Sequence, residues 1–416
     1  MHRIFNAMLL IVFLSVLTCI FLISSGVWQI GPGESLASPQ PTGFPAVTQA
    51  VSASQLPAET SGPPESHQAD PRAEELLSEM SLEEKICQLF IVTPEGLTGV
   101  SRATIAGETT KQALASFPVG GIIYYQGNLL SDEQVKSMLS NSQEYSKIPL
   151  FLCVDEEGGR VSRAGGNDAL STTHFEAMKV YGAQGDPEAV YNVGRTIGRE
   201  LRELGFNLNF APVADVLTNP GNASIGDRSF GPDPELVSLM VKAFVEGQSS
   251  SGMISALKHF PGQGGATADT HLGFAAVAST LEELRAVEFL PFLAGIEAGA
   301  GIVMVGHITV PEIGGDVPAD MSPVIINDIL RGELKYDGVV VTDAQNMGAI
   351  TDKYGAGEAA VLSFAAGADI ILMPADLEEA YNGILEAVTD GTLSQSRVDE
   401  SVLRILGLKI KYGIIP

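Results

Sequence analysis

Between residues 258 and 271 the chain reads Lys-His-Phe-Pro-Gly-Gln-Gly-Gly-Ala-Thr-Ala-Asp-Thr-His, and this stretch holds two of the six histidines in 416 residues. Lys258 and His259 follow the apolar run Ile254–Leu257. A lysine at the mouth of a buried strand is costly unless it is paired. Asp269 and His271 lie two residues apart on a Gly- and Ala-rich loop. On an extended backbone they share a face, and a carboxylate beside an imidazole favours the imidazolium. That pair suits a general acid; the plainer alternative is an Asx turn at the surface with an idle histidine. Asp343 is the sharpest single carboxylate. It follows Val339-Val340-Val341-Thr342 and precedes Ala344-Gln345-Asn346-Met347-Gly348. A carboxylate leaving a buried strand into a loop of small and polar residues suits a nucleophile or an electrostatic stabiliser, the alternative being a helix cap.

These groups need a frame that brings them together. From Pro71 onward, short β-branched apolar runs alternate with amphipathic stretches. The runs are Ile86–Val92, Val119–Tyr125, Leu150–Val154, Asn207–Phe210, Ile254–Lys258, Ile302–Gly306, Val339–Thr342 and Ile370–Met373. The helical stretches include Glu188–Leu204, Pro234–Ser250, Leu281–Ala298 and Gly357–Ala366. Strand–helix alternation predicts a parallel sheet with helices outside. Eight such units predict an α/β fold, a (β/α)8 TIM barrel forming a single catalytic domain over 71–416. A doubly wound open sheet is the alternative, weakened because no G-x-G-x-x-G follows the first strand.

In such a barrel the active site forms at the C-terminal ends of the strands. Here those ends are polar: Asp155-Glu156-Glu157-Gly158-Gly159-Arg160 after the third strand, Asp215 after the fourth, Lys258-His259 at the fifth, His307 after the sixth, Asp343 after the seventh and Asp376 after the eighth. Taken singly, Asp215 and Asp376 read as helix or turn caps, and His307 reads equally well as a hydrogen-bonded structural histidine. Their convergence on one mouth carries more weight than any one of them.

Composition narrows the partners. Lys+Arg number 24 against Asp+Glu 50, a formal charge of −26. Nothing here would neutralise phosphates, so nucleic acid is excluded as a partner. Of three cysteines, Cys19 lies in the N-terminal apolar run, and Cys87 and Cys153 sit in apolar stretches as small core residues. No Cys/His spacing suggests a zinc site. At the N-terminus, His2 and Arg3 precede an apolar run over residues 4–23, broken only by Asn6, Ser15 and Thr18. Its length falls between a secretory signal and a membrane span. Residues 1–30 are therefore expected to be a signal peptide or membrane anchor, with the remainder exported. Residues 31–70, rich in Pro, Ser, Ala and Thr, are expected to be a disordered linker.

Five segments together resemble glycoside hydrolase family 3, and within it the single-domain β-N-acetylglucosaminidases. They are Pro118-Val119-Gly120-Gly121-Ile122-Ile123; Asp155 through Arg163; Gly226-Asp227-Arg228-Ser229-Phe230; Lys258 through His271; and Val341 through Ala349. The resemblance implies a (β/α)8 barrel and a retaining mechanism. It implies Asp343 as nucleophile, His271 as acid/base and Asp269 as its dyad partner. It implies Asp155, Arg163, Arg228, Lys258 and His259 as sugar-contacting residues. It implies no metal and no organic cofactor. Two positions depart from the pattern: Gln263 stands where a second histidine is common, and Ala344 where many relatives carry a second aspartate.

The expected reaction is hydrolysis of a terminal, non-reducing β-N-acetylglucosaminyl bond in a peptidoglycan-derived or chitin-type saccharide. It would run through a covalent Asp343 glycosyl-enzyme, in a protein expected to be a monomer. An imidazole acid avoids repelling an anionic acceptor, so phosphorolysis is an open side reaction. A β-glucosidase or other β-hexosidase of the same family is the first alternative. An inactive, membrane-tethered sugar-binding protein is the second.

Overall fold

A computed structural model describes residues 70–267 and 274–416. Eight parallel strands form the central sheet: β1 (Phe90–Val92), β2 (Gly121–Tyr124), β3 (Phe151–Val154), β6 (Leu208–Asn209), β7 (Ile254–Phe260), β8 (Ile302–Val305), β11 (Val339–Thr342) and β12 (Ile371–Leu372). The remaining short strands form two antiparallel pairs on the connecting loops, β4 (Glu156–Gly158) with β5 (Val161–Ser162), and β9 (Thr309–Val310) with β10 (Gly315–Pro318). Each barrel strand pairs with the next in chain order, and β12 returns to β1. At the remaining seam, Val341 bridges Ile370, and the Thr342 and Ile370 amides bond across to the Ile370 and Val340 carbonyls. The result is the expected (β/α)8 barrel.

The strands read as near-continuous apolar runs because both faces are covered. Every residue of β7 and β11 is buried. The helices Pro187–Leu204 and Pro234–Ser249 start at aspartates, Asp186 and Asp233, whose carboxylates accept first-turn amides ahead of a proline. Asp376 caps the helix Leu377–Thr389 through the Glu379 amide at 2.9 Å, as its position in the sequence suggests.

Two elements differ from the sequence reading. Ile86–Gln88 are the end of a helix, Leu82–Gln88, and the first strand starts only at Phe90. The capping box of Ser81 and Glu84 nucleates that turn, and Ile86 and Cys87 are its buried side. The stretch Leu281–Ala298 is two helices, Leu281–Ala286 and Phe289–Glu297. Pro291 has no N–H for the Val287 carbonyl and so breaks the run between them.

The last helix, Gln395–Lys411, passes under the N-terminal ends of the strands. Lys409 donates to Gln88 ahead of β1, Ser401 to Asp369 ahead of β12, and the Tyr412 hydroxyl beyond it to the Gly299 carbonyl ahead of β8. This closes the barrel floor and leaves the C-terminal mouth as the open face. Cys87 and Cys153 are buried and unpaired. Among the described residues no helix is long and apolar enough to cross a membrane. The apolar run 4–23 and, apart from Asp70, the expected linker 31–70 lie outside the described residues; Asp70 caps the helix Pro71–Glu79.

Candidate active site

At the mouth, Lys258 and His259 lie near the end of β7, just before Phe260, and the peptide between them is cis. Lys258 Nζ donates to Asp155 Oδ1 at 2.8 Å and reaches Glu157 Oε1 at 2.7 Å. Arg228 grips the same Glu157 with two bonds, Nε to Oε2 and Nη2 to Oε1, both 2.8 Å. Such a fork fixes both planes. Burial opposes ionisation of Glu157, but the Arg228 and Lys258 charges outweigh it and hold its carboxyl well below the usual carboxylate range. Lys258 is likewise held above its ordinary value: burial opposes its charge, and Asp155 and Glu157 overcome that. A buried cation here is explained by its two carboxylates.

Asp155 is the open member of this cluster. Its second oxygen lies 3.9 Å from Arg163 Nη2, and Arg163 stacks over the Tyr125 ring at 5.1 Å. The Tyr125 hydroxyl bonds the Met373 sulfur at 3.1 Å, tying β2 to the end of β12. The turn that follows Asp155 is braced from inside by Glu156, which accepts from the Ser162 hydroxyl and from the Ala164 and Gly165 amides. Adjacent glutamates thus point to different tasks. Glu157 anchors the cations of the mouth; Glu156 holds the loop that carries Arg163.

His259 is oriented from behind by Asp215, which has no solvent exposure. Nδ1 meets Asp215 Oδ2 at 2.7 Å. A carboxylate can only accept, so Nδ1 carries the proton and Nε2 faces Arg228 Nη2 at 3.4 Å. Asp215 also takes the His259 amide and, at 2.6 Å, the Gln263 amide. The sequence reading of Asp215 as a cap is therefore corrected: it orients a site histidine and pins the start of the Gly-rich loop. The loop then passes so close to the segment after β6 that a Cβ on Gly264 would lie 1.8 Å from the Val216 carbonyl oxygen. Gln263 is buried in this wall, its side-chain amide donating to Ser224 Oγ at 3.2 Å.

Asp343 follows β11 directly and is half-buried. Its Oδ1 accepts the Ala344 amide at 2.7 Å. Burial would raise its pKa, yet the neighbouring His307 and His259, the Ala344 amide and Lys258 pull it below the ordinary aspartate value. It is a carboxylate kept ionised at the mouth, with one oxygen held by an amide and, among the described residues, no hydrogen bond to the other.

The described structure thus brings together Asp155, Arg163, Arg228, Lys258, His259 and Asp343, which lie 188 positions apart at their extremes along the chain. Asp269 and His271 lie outside the described residues. Glu157, Asp215 and His307, which the sequence analysis placed at strand ends without a role in the site, belong to it. Glu157 sat in view in the Asp-Glu-Glu run, but nothing in a linear pattern tells which of three acids meets the lysine. Among the described residues, no three His, Cys, Asp or Glu side chains converge as a metal-ligand set.

The model of the glycosyl hydrolase family 3 N-terminal domain matches residues 81–408. A β-hexosaminidase A from Pseudoalteromonas piscicida is 34% identical over 345 residues, covering 76% of this chain and 57% of that protein. A β-hexosaminidase from Stenotrophomonas maltophilia is 37% identical over 270 residues, covering 64% of this chain and 80% of its own. The solved structure of a family 3 β-N-acetylglucosaminidase from Paenibacillus sp. str. FPU-7 superposes with a TM-score of 0.76 at 37% identity, over 81% of this chain and 64% of that one. The chain therefore spans less than two thirds of the first of these relatives and of that solved chain. On the matched domain, the barrel and the residues gathered at its mouth, the chain belongs to glycosyl hydrolase family 3.

Proposed function

We propose that this protein is a retaining exo-glycosidase that releases terminal, non-reducing β-N-acetylglucosamine from peptidoglycan-derived or chitin-type saccharides. The observation that carries the reading is Asp343, an ionised, half-buried carboxylate at the end of β11, facing the mouth that Asp155, Lys258 and Arg228 line. The β-hexosaminidase and β-N-acetylglucosaminidase names of its relatives support the amino-sugar class.

In this reading Ala344 holds Asp343 Oδ1, and the other oxygen attacks the anomeric carbon. His271, backed by Asp269, protonates the departing glycosidic oxygen. A glycosyl ester forms with inversion at the anomeric centre. His271 then takes a proton from water, which attacks the same carbon, breaks the ester and restores the starting configuration. Asp155 and Lys258 offer adjacent acceptor and donor groups to sugar hydroxyls, with Arg163, Arg228 and His259 beside them. Glu157 and Asp215 fix these groups before substrate arrives, so little ordering remains to be done on binding. We further propose that residues 4–23 direct the chain out of the cytoplasm, where such saccharides occur; cell fractionation with N-terminal sequencing of each fraction tests this.

The decisive assay compares chromogenic β-N-acetylglucosaminide and β-glucoside, with Asp343→Asn alongside. The reading expects strong preference for the amino sugar and loss of roughly 10^4-fold or more in kcat for the variant. Release from the glucoside alone, or an Asp343→Asn enzyme as active as the wild type, would sink it.

A further inference from the structure

His307 closes β8, just behind the proposed nucleophile, and is completely buried. It therefore cannot meet substrate. Its Nε2 lies 3.0 Å from the Ala344 carbonyl oxygen. Its Nδ1 lies 3.1 Å from Asp320 Oδ1, close enough for strong attraction although the angle falls outside that of a hydrogen bond. Asp320, also fully buried, sits on the short helix Ala319–Met321 that follows the β9–β10 pair. Its Oδ2 accepts from Ser363 Oγ at 3.2 Å. Ser363 belongs to the helix Ala356–Ala366 and accepts in turn from Gln345 Nε2 at 2.9 Å. Gln345 is the neighbour of Ala344.

The contacts close a ring. It leaves the chain at the Ala344 carbonyl, runs through His307, Asp320 and Ser363, and returns at the Gln345 side chain. Just ahead of it in the chain, on the other side of the Ala344 Cα, the Ala344 amide is the group that holds Asp343 Oδ1. The β11 end is pinned separately by the backbone, since the Asp343 amide donates to the Val305 carbonyl and the Gln345 amide to that of Leu372.

Proton counting sets the state of the histidine. A carbonyl only accepts, so Nε2 must carry a proton. A lone pair on Nδ1 facing a carboxylate would repel it, so Nδ1 is protonated as well. The titratable groups around the ring are Asp320 on its short helix and Asp343 beyond β11, with the Tyr354 hydroxyl near Asp320 and Lys258 and His259 near Asp343. The two carboxylates nearest the imidazole both favour the cation. Consistent with this, burial opposes the charge of His307 but Asp320 lifts its pKa to about 9.

We propose that His307 and Asp320 are positioning residues: an imidazolium locked by the Asp320–Ser363–Gln345 ring holds the Ala344 carbonyl, and so the residue whose amide grips Asp343, keeping that carboxylate ionised and aimed at the mouth. This rests on Asp343 being the nucleophile. His307 acts through Ala344 and through its charge, and transfers no proton in the reaction.

Two measurements test it. In 15N-labelled wild type at pH 8, both His307 nitrogens should read as protonated; a neutral His307 ring overturns the proposal. In Asp320→Asn and Ser363→Ala, the rate of covalent trapping by a 5-fluoro N-acetylglucosaminyl fluoride should fall, about 30-fold or more for Asp320→Asn and several-fold for Ser363→Ala. Inhibition by free N-acetylglucosamine should stay within about threefold of wild type. Ser363→Thr keeps the hydroxyl and should recover the Ser363→Ala loss. Asp320→Asn should also add a new loss of activity as pH rises, because His307 then sheds its proton within the assay range. Unchanged trapping in folded variants, or an equal loss in product affinity, overturns the proposal. If Asp320→Asn does not fold, the Ser363 pair and the wild-type spectrum decide. A wild type inert toward amino sugars would defeat the proposed function, whereas the spectrum reads the ring regardless of activity.

Discussion

Glu156 and Glu157 are adjacent, both buried, and should respond oppositely to the same change. Glu157→Gln removes the charge that faces Lys258 and the Arg228 fork, at 2.7 and 2.8 Å. Lys258 then keeps Asp155 as its charged partner, and Arg228 is left with the more remote charges of Asp215 and Asp155. Breaking such a pair costs about 3–5 kcal/mol. For a body of about 350 residues, an unfolding entropy of roughly 2.1 cal/mol/K per residue converts this into a Tm lowered by roughly 4–7 °C. In Glu156→Gln, the new carbonyl can take the Ala164 and Gly165 amides while the new NH2 donates to Ser162, so the pattern of bonds survives. Burial has already raised the Glu156 pKa, favouring the neutral form, and the expected cost is under about 1 kcal/mol. The pH dependence follows the same division. The folded-state pKa of Glu157 is depressed, so its contribution is present above its unfolded value near 4.3 and fades as pH falls toward the folded value. That of Glu156 is raised, so it favours the fold increasingly as pH falls through that value. Differential scanning calorimetry of wild type and both variants from about pH 2 to 8 measures this, and KM should rise only for Glu157→Gln. Equal Tm losses in the two variants would falsify the division of labour.

Three further outcomes follow from other parts of the molecule. His271→Ala should spare glycosides with good leaving groups far more than those with poor ones, and added azide should restore turnover; equal losses across leaving groups would remove His271 from the acid role. Asp369→Asn, on the barrel floor, strips the partner of Arg331 at 2.6 Å and Arg404 at 3.0 Å and should cost about 3–5 kcal/mol with KM unchanged. Burial opposes its charge but the arginines hold Asp369 at about 2, so this contribution persists above pH 4 and is lost only as pH falls toward 2. Lys409 is buried, with Gln88 as its hydrogen-bond partner at 2.8 Å, and burial drops its pKa to about 7. Its unfolded form binds the proton more tightly, so wild type should gain stability relative to Lys409→Met as pH rises from about 7 to about 10; parallel Tm curves for the two would count against a buried, titrating lysine.

Much of this molecule was legible in one dimension. The eight apolar runs announced the barrel because a parallel strand buried on both faces needs little more than β-branched residues in series. Val339–Thr342 therefore marked a strand and delivered Asp343 to its end. Asp376 capped its helix because capping is a local bond between a side chain and amides a few residues on. The Leu281–Ala298 run hid its break because apolar periodicity says nothing of the hydrogen bond that Pro291 cannot make.

What the tertiary structure alone decided was the partnership of charges. Asp155, Glu156 and Glu157 are equivalent acids in the sequence, yet one faces the mouth, one braces a loop and one anchors Lys258 and Arg228. Asp215 looked like another cap until β6 and β7 placed it 2.7 Å behind His259. His307 looked ambiguous until Asp320, Ala344 and Ser363 arrived from three other elements. Residue types and their order determine which strands form and which groups end them. The ionisation and aim of those groups depend on neighbours that are remote in sequence, because Coulombic and hydrogen-bond energies are set by distances of a few ångströms that only the closed barrel creates.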